Sequence, residues 1–82
     1  MSTVMEMAER YERIRNLRED SDLTQAELGK QINVPQRTYA YYESGERMIP
    51  PQVLVDLARF YHVSVDYLLG LTDQKTPYPY RK

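Results

Sequence analysis

The chain has no cysteine and only one histidine, His62. The missing cysteines exclude a disulfide framework and a thiolate metal site, and one histidine does not complete a zinc site. We therefore expect no metal and no cofactor, and we interpret His62 as a structural residue. No stretch approaches the ~20 apolar residues of a membrane span, and the N-terminus lacks a basic segment followed by an apolar run. We expect a cytoplasmic protein with no membrane partner.

A surplus of basic side chains is also absent, since the formal net charge is −1. Nucleic-acid binders usually carry such a surplus, so the charge alone favours a protein-interaction module. Signs of catalysis are missing too, because the chain has no Gly-rich phosphate loop, no cysteine nucleophile and no serine with an arranged histidine. We expect neither an enzyme nor a small-molecule ligand. The 82 residues predict one domain at 1–72 and an extended tail at 73–82.

What the sequence does contain is a pattern of helix, turn and helix over residues 24–45. Thr24 and Glu27 have the spacing of a capping box, which starts a helix. Asn33 tolerates the left-handed backbone that ends a helix, and Pro35 suits the first position of the next one. Gly45 then ends the second helix. The pattern predicts a helix-turn-helix unit with its second helix at 35–44.

Spacing also predicts which faces of these two helices are buried. Leu28 and Ile32 are four residues apart and Tyr39 and Tyr42 are three apart, so each helix has one apolar stripe. The other face of the second helix is left for binding. Gly29 is expected where the two helices come closest, since a larger side chain would hold them apart.

The remaining segments predict three supporting helices and no strand. An amphipathic first helix should run from about Val4 to Glu19, with an apolar stripe of Met7, Tyr11, Ile14 and Leu17. A fourth helix opens at Pro50 and Pro51, with a stripe of Leu54, Leu57, Ala58 and Tyr61. A short fifth helix is expected between a Ser64 cap and Gly70.

The run TQAELGKQINVPQRTYAYYESGERMIP resembles the lambda-repressor/Cro-like helix-turn-helix family, often called Xre, and the resemblance extends from roughly Ile14 to Leu71. It implies an all-α, five-helix lambda-repressor-like DNA-binding domain. It also implies a bacterial or phage-encoded transcription regulator, most simply a repressor. The chain departs from the family at Pro35, where Ser or Thr is more common, and at Tyr39, whose bulk either tilts the second motif helix or exposes a hydroxyl near DNA.

The resemblance implies roles for particular residues toward double-stranded DNA in the major groove. Residues expected to contact bases are Gln36, Arg37 and Tyr41, although packing against a neighbouring side chain is an alternative for Tyr41. Residues expected to contact phosphates are Gln25, Ser44 and Arg47, and for Arg47 a solvated side chain is the alternative. Arg18 and Glu43 match a family ion pair, which we interpret as structural.

A domain with so few cations should bind DNA weakly as a monomer. We therefore expect a homodimer that reads half-sites about 34 Å apart. Its interface is expected on the fifth helix and the segment after it, at Tyr67, Leu71, Tyr78 and Tyr80. Two alternatives stay open: an antitoxin that also binds a toxin protein, and a protein-interaction module that has lost DNA binding.

Overall fold

A computed structural model describes residues 11–76, and within this range the chain forms five α-helices and no strand. The helices are α1 (Glu12–Asp20), α2 (Gln25–Gln31), α3 (Gln36–Ser44), α4 (Pro51–Tyr61) and α5 (Val65–Leu68). The predicted all-α, five-helix fold is confirmed. None of the described helices is both long enough and apolar enough to span a membrane.

Tyr11 marks the start of α1 within the described residues. Tyr11 precedes α1 with a φ of −99° and a ψ of 8°, so α1 begins at Glu12, and residues 4–10 of the predicted first helix lie outside the described residues. Tyr11 is only 3% exposed, and its hydroxyl accepts a hydrogen bond from the backbone N–H of Ile49 at 3.4 Å. This contact ties the start of α1 to the loop after α3. Met7 lies outside the described residues.

The predicted helix ends follow from local hydrogen bonds. The N–H of Glu27 donates to Thr24 Oγ at 3.1 Å and the N–H of Thr24 donates to Glu27 Oε1 at 2.9 Å, which completes the capping box. Ser64 Oγ accepts from the N–H of Tyr67 at 3.0 Å and caps α5. Asn33 has the predicted left-handed backbone with a φ of 57°, and Gly45, which was predicted to end α3, does so with a φ of 82°.

Pro35 differs from the prediction by one position. It occupies the capping position before α3, with a ψ of 145°, and the helix begins at Gln36. Pro51, in contrast, is the first residue of α4, where its missing N–H costs no hydrogen bond.

Each of the five helices contributes a fully buried side chain to one core. These side chains are Ile14, Leu28, Tyr39, Leu57 and Leu68, all 0% exposed. Tyr42 of α3 joins them at 8% exposed, so the apolar stripe predicted for α3 does face inward. The opposite face of α3 is consequently left at the surface.

Gly29 fixes the distance between α2 and the turn that leads to α3. A Cβ atom on Gly29 would lie 2.5 Å from the carbonyl oxygen of Val34, closer than packed atoms approach. The N–H of Val34 also donates to the Gly29 carbonyl at 2.8 Å. The expected close approach is therefore present, and it involves the backbone of the turn.

Arg13 of α1 holds the segment after α5. Its guanidinium donates to the carbonyl oxygens of Tyr67 at 3.2 Å and Thr72 at 2.6 Å, and to Asp73 Oδ1 at 3.1 Å. The guanidinium carbon also lies 4.3 Å from the centre of the Tyr67 ring. The first residue of the predicted tail is thus anchored to the helical domain.

Candidate nucleic-acid interface

The outward face of α3 presents two polar side chains at its first turn. Gln36 and Arg37 are both exposed, and neither forms a side-chain hydrogen bond or ion pair with any residue between 11 and 76. The buried Tyr39 and Tyr42 fix the rotation of α3 about its axis, so these two side chains are held away from the core. They are therefore available to an external ligand.

Tyr41 lies one turn beyond Arg37 and already has a partner. The guanidinium carbon of Arg47 lies 4.5 Å from the centre of the Tyr41 ring, within the range of a cation–π contact. The N–H of Arg47 also donates to the Tyr41 carbonyl at 3.3 Å. The structure thus joins a residue predicted to contact bases to one predicted to contact phosphate.

Ser44 uses its hydroxyl within its own turn. Ser44 Oγ lies 3.1 Å from the Tyr41 carbonyl oxygen and 3.3 Å from Glu46 Oε1, and it accepts from the N–H of Glu46 at 3.3 Å. Glu46, which the sequence pattern does not single out, places a carboxylate beside the predicted phosphate contact. A phosphate that approaches Ser44 would meet this negative charge.

Arg18 and Glu43 face each other in a bidentate ion pair. Arg18 Nε lies 2.6 Å from Glu43 Oε2 and Arg18 Nη2 lies 3.0 Å from Oε1. Arg18 Nη1 also donates to the Leu23 carbonyl at 2.8 Å. Burial disfavours the charged form of Glu43, but the hydrogen bonds and charge of Arg18, together with the polar side chains of Tyr39 and Gln25, outweigh it, so the pKa of Glu43 is lowered. The pair ties α1 to the end of α3.

Gln25 belongs to the same cluster. Its amide nitrogen donates to Glu43 Oε1 at 3.4 Å, so one of its two amide N–H groups points at the ion pair. The sequence predicts a phosphate contact for Gln25, and the structure leaves its second N–H for that role.

Two tyrosine hydroxyls are enclosed without a partner. Tyr39 and Tyr61 have buried Oη atoms that form no hydrogen bond with the described residues. Burial raises the pKa of both hydroxyls, and the nearby Glu43 carboxylate adds to the effect. Because Tyr39 is 0% exposed, the expectation that its bulk could bring a hydroxyl to the DNA surface is wrong.

The residues predicted for the dimer interface are only partly covered by the structure. Leu71 is 73% exposed, whereas the half-buried Tyr67 ring lies against Arg13. Tyr78 and Tyr80 lie outside the described residues. His62 ends α4 in a left-handed conformation with a φ of 57°. Residues 11–76 hold no group of three side chains suited to a metal ion.

Comparison with known proteins points to the same segment of the chain. The model of the helix-turn-helix family matches residues 14–68. The chain is 44% identical over 71 residues to YobD of Bacillus subtilis strain 168, named as an uncharacterized HTH-type transcriptional regulator, and the match covers 87% of this chain and 63% of that protein.

A second relative is a phage protein. The chain is 36% identical over 59 residues to RstR of Vibrio cholerae serotype O1, named as the cryptic phage CTXphi transcriptional repressor. This match covers 72% of the chain and 53% of that protein, so the matches span less than two thirds of either relative. No solved structure matches the chain significantly.

Proposed function

This chain belongs to the helix-turn-helix family, and we propose on that premise that it is a sequence-specific, DNA-binding transcriptional regulator. The observation that carries the proposal is the outward face of α3. Gln36 and Arg37 are exposed there without partners among the described residues, while the inward face of the same helix is buried. A helix held in this way presents its first turn to the major groove of DNA.

The chemistry of these side chains suits the edges of base pairs. A glutamine amide pairs with N6 and N7 of adenine, and an arginine guanidinium pairs with O6 and N7 of guanine. Each good bidentate contact contributes about 1–3 kcal/mol of discrimination against a wrong base. Gln36 and Arg37 are therefore proposed to specify the sequence, with Tyr41 beside them, whereas Gln25, Ser44 and Arg47 are proposed to contact phosphates.

We further propose that the protein acts in the bacterial cytoplasm as a repressor that occupies its operator as a homodimer. Support for repression comes from the relative RstR, which is named as a transcriptional repressor. The proposal of a dimer rests on the small number of cations, because two weak contacts made together bind far more tightly than one. Leu71, 73% exposed at the end of the domain, belongs to the proposed interface with Tyr67, Tyr78 and Tyr80.

Sequence-specific DNA binding is tested by selecting bound sequences from a random pool of double-stranded DNA. The enriched sequence is then titrated with each protein. Wild type should enrich one sequence with two-fold symmetry. Arg37→Ala should relax the preference at one base pair per half-site, whereas Gln25→Ala should weaken binding evenly across sequences. The matched control is Arg59→Ala on α4, which should retain both affinity and preference.

The same experiment separates DNA reading from the protein-interaction alternative, and a binding test against a neighbouring toxin separates the antitoxin. The net charge of −1 favours a protein-interaction module, which would enrich no sequence and would be indifferent to Arg37→Ala. An antitoxin would enrich an operator and also bind a toxin encoded beside it. Sedimentation of the protein alone and on its operator tests the dimer, since a monomer in both states would refute it.

A further inference from the structure

An open cleft lies beside α3, between α1 and the start of α2. It is lined by Arg15, Arg18, Gln25, Ala40, Glu43 and Ser44. Ala40 and Ser44 lie four and eight residues after Gln36, so the cleft runs along the side of α3 on which Gln36 lies. A DNA strand flanking α3 on that side would pass over the cleft.

Most of the charge in this cleft is cancelled internally. The guanidinium of Arg18 and the carboxylate of Glu43 form their bidentate pair with side chains only 14% and 4% exposed. Gln25 and Ser44 are neutral. Arg15 is therefore the one lining residue whose charge is not cancelled by another lining residue, and the Glu46 carboxylate beside Ser44 is the nearest opposing charge at the end of the cleft.

The Arg15 side chain is positioned to present its positive charge to a ligand in the cleft. It precedes Arg18 by three residues on α1, so both side chains lie on the same side of the helix. Its side chain is 54% exposed, and its ion pair with Glu19 has a long N–O distance of 3.9 Å. An exposed pair of this kind is weak and is easily exchanged for a stronger partner.

We propose that this cleft binds a phosphate of the DNA backbone and that Arg15 supplies the positive charge for it. Gln25 lines the same cleft, and its second amide N–H would donate to the same phosphate. Arg47, stacked on Tyr41, would contact a phosphate on the other side of α3. The inference rests on the proposed function, since it assumes that α3 enters the major groove of DNA.

Salt dependence of binding tests the proposal. The dissociation constant for the enriched operator is measured between 50 and about 300 mM salt for wild type, Arg15→Gln and Arg15→Lys, with Arg59→Gln as a control of equal charge change. Each lost phosphate contact should reduce the slope of log K against log salt by about 0.9, or by roughly twice that in a dimer. Arg15→Gln should show this reduction, whereas Arg15→Lys and Arg59→Gln should retain the wild-type slope.

The base preference provides the second measurement. Because a phosphate contact positions the protein without specifying sequence, Arg15→Gln should weaken binding with its preferred sequence unchanged. If Arg15→Gln has the wild-type slope, the cleft proposal is wrong. In that case a relaxed base preference in Arg37→Ala would still support DNA reading. A changed base preference in Arg15→Gln would also overturn the cleft proposal, and failure of wild type to enrich any DNA would overturn both proposals. Circular dichroism of each variant confirms that it is folded.

Discussion

The ion pair between Arg18 and Glu43 makes a sharp prediction about stability. Arg18→Met removes three hydrogen bonds of 2.6, 3.0 and 2.8 Å and leaves the Glu43 carboxylate, 4% exposed, with neutral neighbours such as Gln25 at 3.4 Å and no positive partner. Breaking a buried pair by removing one partner costs about 3–5 kcal/mol. A domain of 82 residues has a total stability of roughly 4–12 kcal/mol, so the loss should be easy to measure.

A second variant separates the buried charge from the packing. Arg18→Met combined with Glu43→Leu removes both charges, so it should be more stable than Arg18→Met alone. Arg15→Met is the matched control on the same helix, and it should cost less than about 1 kcal/mol because the pair of Arg15 with Glu19 is exposed. Urea unfolding monitored by circular dichroism gives all three free energies.

The pH dependence of these free energies tests the electrostatic origin of the effect. In wild type the pKa of Glu43 lies below its unfolded value of about 4.3, so the contribution of the pair is present above that pH and is lost as pH falls through the folded pKa. In Arg18→Met the main group that opposes the effect of burial is gone, so the pKa of Glu43 should rise above its unfolded value. The variant should then gain stability relative to wild type as pH falls from 7 toward 5. A gap that stays constant over this range would refute the reasoning.

Two further predictions concern the turn of the motif and the charge beside α3. Gly29→Ala should destabilise the fold by about 1–3 kcal/mol in urea unfolding, because its Cβ would lie 2.5 Å from the Val34 carbonyl oxygen and this outweighs a gain of about 1 kcal/mol in helix propensity. Gly70→Ala is the comparison: a Cβ there has open space but the residue has a φ of 76°, so the substitution should cost about 1–2 kcal/mol. Wild-type stability of Gly29→Ala would contradict the packing argument. Glu46→Gln should tighten operator binding about two- to fivefold at low salt, since it removes the carboxylate 3.3 Å from Ser44 Oγ. Titration of the operator at two salt concentrations measures the affinity of Glu46→Gln and of the control Glu12→Gln, which removes an exposed carboxylate on α1. An equal gain in affinity in the two variants would indicate a general effect of net charge instead.

Local chemistry explains why so much of the fold could be predicted. The cap at Thr24, the left-handed Asn33 and Gly45, and the inward position of Tyr39 all depend on residues within a few positions of one another. Such features need no knowledge of the rest of the chain. For the same reason the exposed positions of Gln36 and Arg37 could be predicted from spacing on α3 alone.

The contacts that were missed join residues far apart in sequence or depend on one rotamer. Arg13 reaches residues 54 to 60 positions away, and no periodicity within α1 indicates that partner. Packing of Tyr41 on a neighbouring side chain was an alternative from the sequence, but its partner Arg47 was not identified, because Arg47 lies beyond the end of α3 where helical spacing no longer applies. His62 takes a left-handed backbone that its residue type does not demand. Three-dimensional packing decides each of these.

The positions of the charges make the net charge of −1 weaker evidence against DNA binding. The first turn of α3 has no acidic residue, and Glu43 of its last turn is buried and neutralised by Arg18. Charges on distant faces are screened over about 10 Å at 0.1 M salt, so a phosphate near α3 would respond mainly to Arg15, Arg37, Glu46 and Arg47. With Arg15 and Arg47 as proposed phosphate contacts, the salt slope would be roughly −1.8 for each protomer. A shallow salt dependence means that few phosphate contacts contribute to binding, so non-specific affinity for DNA is low. Base contacts and dimerisation must then provide most of the affinity for the operator.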